Sequence, residues 1–198
     1  MQWLQGGPLF EVSLITKEVD INSLISEISK HKDIDIIEEN IELKINEYKS
    51  GYLFDENNLD SQHIHSININ IYFEVLSKRK ALLFINQVAE ETLLLDFCFY
   101  GSEFDAPEWG QKGIQAEEYH HFVTLLSDLM NYFNGIAGSV AIEEDVLGLI
   151  SEIQTWPDKV YSYKKINPTE LMKQIDQEKN YIALGIKNEE RIQIIYFE

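Results

Sequence analysis

The chain has 198 residues, 44% of them apolar and 12% aromatic, which is enough to bury a core without staples and too apolar for a disordered chain. A formal net charge of −18 and a pI near 4.6 exclude phosphate-neutralising binding to nucleic acid or anionic membranes, which needs clustered Lys and Arg. Cys98 is the only cysteine, so no internal disulfide is possible, which fits a reducing compartment.

Residues 1–10 carry no basic and apolar leader pattern, and no stretch approaches the ~18 apolar residues of a membrane span, so the expectation is a soluble cytoplasmic protein. Residues 9–16 predict a strand. Residues 21–31 predict a helix, with Asp20 or Asn22 as its cap. Ile41, Leu43 and Ile45 alternate with Glu42, Lys44 and Asn46, predicting a second strand. A long loop over 49–62 leads to the clearest strand, where Ile67, Ile69, Ile71, Phe73 and Val75 line one face. Lys78, Arg79 and Lys80 then read as the solvated tip of a hairpin, three charges being too few for a phosphate track.

Residues 81–88 predict the returning strand. In the next, Leu93, Leu95, Phe97 and Phe99 form a stripe, while Leu94 and Cys98 on the other face imply cover from both sides. A loop over 101–115 precedes a helix at 116–133, whose Phe122, Leu125, Leu126, Leu129, Met130 and Phe133 make one apolar face. Asn134-Gly135 stops it, Gly135 being the natural left-handed residue. Further helices are predicted at 143–153, ending before Trp156-Pro157, and from Pro168 to 177. Residues 181–186 and 191–197 flank a turn at 187–190, a hairpin. Runs of strands followed by runs of helices predict one α+β domain over 1–198: a mostly antiparallel sheet with a long amphipathic helix packed on one face.

The charge is unevenly distributed. Residues 81–158 hold fourteen acids and one base, Lys112, while the remaining residues hold twenty acids and fifteen bases. Within that block the loop 101–113 sets Phe104 and Trp109 among Glu103, Asp105 and Glu108, a pattern in which apolar anchors give affinity and charges steer. Glu117, Glu118, Glu143, Glu144 and Asp145 open helices, where carboxylates complement the dipole. These ten residues are the candidate partner-binding face.

His63-Ile64-His65 has the H-x-H spacing that puts two imidazoles on one side of a strand, but a metal site needs a third donor. His120 and His121, adjacent on a helix, diverge by about 100° and cannot serve one ion together. No H-E-x-x-H, C-x-x-C, phosphate loop or G-x-S-x-G elbow occurs, so no catalytic residue and no cofactor is assigned. Cys98, between two phenylalanines, reads as core.

Residues 119–150, YHHFVTLLSDLMNYFNGIAGSVAIEEDVLGLI, resemble a stretch of small acidic proteins from Gram-positive bacteria taken to be immunity proteins of polymorphic toxin systems. The shared pattern is an amphipathic helix, a Gly-rich turn, a short strand and Glu-Glu-Asp opening the next helix. The resemblance implies stoichiometric binding to a toxin domain, frequently a basic nuclease, and carries over no catalytic residue. The expectation is a non-enzymatic acidic protein masking a basic partner. The alternatives are a metal-dependent enzyme using His63, His65 and carboxylates, or a structural or regulatory subunit whose charge serves solubility.

Overall fold

A computed structural model describes residues 4, 8–17, 19–53, 63–89, 92–101, 112–149, 180–189 and 191–197. The predicted helix from Pro168 and the loop residues Glu103, Phe104, Asp105, Glu108 and Trp109 lie outside these. The strands are β1 (Leu9–Lys17), β2 (Ile34–Ile36), β3 (Tyr52–Leu53), β4 (His63–Ile64), β5 (Ser66–Val75), β6 (Ser77–Ala89), β7 (Thr92–Tyr100), β8 (Ala137–Ile142), β9 (Tyr181–Asn188) and β10 (Arg191–Tyr196). The helices are α1 (Ile21–Ile28), α2 (Ile41–Ser50) and α3 (Tyr119–Tyr132), the last entered through a 3₁₀ turn at Ala116–Glu118. The expected α+β class is what is found.

Eight strands form one sheet in the order β10-β9-β8-β1-β7-β6-β5-β2, every described pairing antiparallel, and β3 and β4 form a separate two-stranded ladder. β5 buries its odd positions as the alternation requires. β1 lies in the middle of the sheet, pairing with β7 on one side and β8 on the other.

The helices cover one face. Phe10, Val12 and Leu14 of β1, Leu95, Phe97 and Phe99 of β7 and the buried side of α3 share one apolar cluster. Phe122 sits 4.7 Å from Phe10 and 5.3 Å from Phe99, ring centroid to ring centroid, within the range where aromatic pairs attract. Gly138 and Gly185, paired across β8 and β9, lie beneath α3. A Cβ on Gly138 would meet Leu126 Cδ1 at 2.7 Å, and one on Gly185 would meet Met130 Sδ at 2.5 Å. The two glycines therefore set how closely the helix can approach the sheet.

Several expectations are corrected. Residues 41–45 belong to helix α2, not a strand: Ile45 and Tyr48 are buried with Ile41 packed nearby, whereas Leu43 is 58% exposed. A run this short satisfies period two and i, i+4, i+7 equally, and packing decides. Lys78, Arg79 and Lys80 are not a hairpin tip but strand residues of β6; the reversal falls at Leu76, with φ of 57°. Arg79 and Lys80 are buried. At the end of α3 the left-handed residue is Asn134 (φ 55°), not Gly135, whose N–H closes the turn on the Met130 carbonyl. The α1 helix stops at Ile28, and of the two cap candidates Asp20 is the one that accepts the Ser23 N–H, at 3.0 Å. Glu143-Glu144-Asp145 leads into a 3₁₀ turn at Val146–Leu149 rather than an α-helix, and residues 150–153 lie outside the described chain.

Candidate functional site

Three acid-bearing segments meet at one end of the sheet. Leu9 is opposite Tyr100 and Phe10 is opposite Ile142, so β7 ends, β8 ends and β1 begins at the same edge. The start of α3 joins them, with Tyr119 stacked 5.2 Å from Phe10. Gly101 is held there by its N–H to the Pro8 carbonyl, and Lys112 by its carbonyl, which accepts from Arg79. Gly101 and Lys112 are thus both held at this edge.

The five described acids of the candidate face divide by environment. Glu117 and Glu143 are exposed. Glu118 is committed inward: one carboxylate oxygen accepts from Arg79 at 2.7 Å and the other from the Gln115 N–H at 2.9 Å. Glu144 is half-buried. Asp145 turns under the sheet, accepting from the Leu147 N–H at 2.6 Å. Burial raises its carboxyl above the ordinary value, partly offset by the amides of Leu147 and Gly148. Of the bases at this end, Arg79 is paired with Glu118, Lys78 with Asp35 at 2.6 Å in an exposed ion pair, Lys80 is buried, and Lys112 is exposed.

A second constellation, absent from the sequence reading, lies on the sheet face away from the helices. Ser13 is opposite Asp96 on one flank and Ser139 on the other; one rung on, Glu11 is opposite Cys98 and Ala141. Side chains alternate along a strand, so Asp96 and Cys98, two apart on β7, point the same way. The Cys98 thiol donates to Asp96 Oδ2 at 3.2 Å, while Asp96 Oδ1 is buried without a hydrogen-bond partner. Ser13 and Ser139 hydroxyls lie 3.0 Å apart, and Ser13 Oγ accepts the Val146 N–H at 2.8 Å.

One donor atom from each of Glu11, Asp96 and Cys98 lies within 4.8 Å of the others, and among the described residues this is the group of three with metal-ligand character. Burial, reinforced by Asp96, Asp145, Glu143 and Glu144, pushes the Glu11 carboxyl up to about 8. Burial likewise pushes Asp96 up to about 7, against the favourable Cys98 hydrogen bond, with Asp145 adding to the rise. The thiol is driven far up, first by burial and then by Asp96 and Glu11. No salt bridge among the described residues reaches any of these groups. The sequence signal was an aspartate inside the wholly buried run of β7; pairing it with Glu11 required the register.

The histidine pairs stand apart from this cluster. His65 Nδ1 lies 2.7 Å from the Tyr48 carbonyl and His63 is exposed. His65, Tyr48, Lys49 and Gln87 line an open cleft of about 510 Å³ with Val19, Asp20 and Ile21. The His120 and His121 rings, expected to diverge, approach to 3.7 Å, with His120 Nδ1 2.8 Å from the Glu117 carbonyl.

Compared with known proteins, the chain matches no family model, no curated protein and no solved structure. Among the described residues no helix is long and apolar enough to cross a membrane.

Proposed function

We propose that this protein is a non-enzymatic, cytoplasmic binding protein that masks a basic partner, as an immunity protein masks a toxin domain. The observation that carries the reading is the convergence of acid-bearing segments at one sheet edge where two of the bases, Lys78 and Arg79, are held in ion pairs with Asp35 and Glu118. Glu117 and Glu143 remain exposed there, and Gly101 and Lys112, which flank Glu103, Phe104, Asp105, Glu108 and Trp109 in sequence, are both held at the same edge. A negative edge speeds encounter with a cationic surface and occupies the ground that nucleic-acid phosphates would take. Aromatic anchors then slow dissociation.

The partner used is a basic toxin-like nuclease domain. The test is stopped-flow association with that domain across ionic strength. The association rate falls steeply with salt, and the double charge reversal Glu117→Lys with Glu143→Lys lowers it by roughly tenfold while flattening the salt dependence. A rate indifferent to salt, or to both reversals, overturns the reading.

A further inference from the structure

We propose that Glu11, Asp96 and Cys98 form a binding site for a divalent ion of the zinc class, on the sheet face opposite the helices. It goes beyond the partner-binding reading and stands independently of it.

Three features converge. The ligands come from two hydrogen-bonded strands in fixed register: Glu11 directly opposite Cys98, and Asp96 one rung along on the same face. That places the donors by backbone geometry rather than by long, flexible side chains. Asp96 is 7% exposed and its Oδ1 has no hydrogen-bond partner, although a buried carboxyl oxygen without one is destabilising. As a purely structural residue in so apolar a strand Asp96 is a net loss, whereas as a ligand the free oxygen is what an ion takes up. Finally, no basic side chain among the described residues pairs with the cluster, so a cation entering it competes with protons and not with an internal Lys or Arg.

The donor set selects the metal class. Two carboxylates and a thiol give an O,O,S set, which suits a borderline-soft ion such as Zn²⁺; Mg²⁺ and Ca²⁺ prefer oxygen alone. Glu11, half-buried where Asp96 is enclosed, is the ligand an entering ion meets first. Binding replaces the thiol proton and any carboxyl proton with a metal bond, so protons are released to solvent and affinity rises with pH.

Titrating the full chain with Co²⁺ as a spectroscopic probe tests the site. One equivalent produces a thiolate-to-cobalt charge-transfer band together with the visible bands of a low-coordinate ion, and Zn²⁺ displaces both. Cys98→Ser removes the charge-transfer band. Glu11→Gln and Asp96→Asn weaken binding by roughly tenfold or more, a ligand being worth at least as much as an outer-shell partner. Thermal melting keeps the outcome clear of misfolding: without metal Asp96→Asn melts no lower than the parent chain, and added Zn²⁺ raises the melting temperature of the parent alone. A band that survives Cys98→Ser, a Zn²⁺ shift of equal size in Asp96→Asn, or the absence of both band and shift at pH 8 overturns the proposal.

Discussion

The two faces of the central sheet are made by the same strands and differ in almost everything else. Along β1, Phe10, Val12 and Leu14 enter a dry interface with α3, while Glu11 and Ser13, interleaved with them, point to the other side. The helix face is held by close packing, with aromatic rings in contact and two glycines admitting the helix. The opposite face is held by an apolar patch of Ile15, Leu94, Ala137 and Val146 beside a polar stripe with a carboxyl oxygen lacking a hydrogen bond. Stability is concentrated on one side and ionisable chemistry on the other. Substitutions on the first should unfold the protein, and substitutions on the second should change how it answers pH and ligands.

The largest effect tests the helix face. Phe122→Ala, deleting a fully buried ring that touches two others, should cost about 3–5 kcal/mol by urea unfolding. A loss below about 1 kcal/mol would mean that α3 is not the main cover.

Next is the ion pair at the rim of that face. Glu118→Gln leaves the buried Arg79 guanidinium uncompensated and, because Glu118 keeps 22% side-chain exposure, should cost about 2–3 kcal/mol. Adding Arg79→Met should restore most of the loss, since the pair as a whole is worth little against a well-packed apolar side chain. Failure of the second change to rescue would place the role of Arg79 in its bond to the Lys112 carbonyl instead.

The opposite face is sharpened by pH. Glu11 and Asp96 hold protons in the folded protein up to about 8 and about 7, but lose them near 4.5 and 3.8 when unfolded. The folded state therefore binds more protons across that window, and stability falls as pH rises through it. The melting temperature should drop between pH 5 and 8, and Asp96→Asn should flatten the drop by a few degrees, roughly 2–4 °C for each kcal/mol recovered. An unchanged slope in the variant would assign the pH dependence to general charge repulsion.

The smallest effects lie outside both faces. Asp20→Ala removes the α1 cap and should lower the melting temperature slightly. Lys78→Ala breaks an ion pair whose side chains are 52% and 64% exposed, so denaturation curves should barely move.

What the sequence made legible follows from how local each signal is. The odd-position stripe of β5 and the apolar face of α3 are each written within a single stretch, and both formed as read. In α2, Ile41, Leu43 and Ile45 are too few to separate a period of two from one of 3.6, and Tyr48, which completes the helical pattern, falls off that alternation. Lys78, Arg79 and Lys80 looked solvated because charge is usually at the surface; only the fold brings Glu118 and Asp35, from two separate elements, to meet two of them. The Glu11, Asp96 and Cys98 cluster depends on pairing residues 9–17 with 92–100, a match between distant segments that no periodicity encodes.

That distant pairing also governs assembly on the ribosome. β1 is completed on one flank by residues 92–100 and on the other by 137–142, so as the nascent chain lengthens, its backbone amides stay unsatisfied on both sides until β7 emerges and on one side until β8 follows. The hairpins β5-β6 and β9-β10 can zip within their own stretches, but the seam joining them waits for a strand made much earlier. Throughout that delay a sticky, unpaired ribbon is on offer to other chains, so production yield and chaperone demand should respond to changes in β1 more sharply than equilibrium unfolding does.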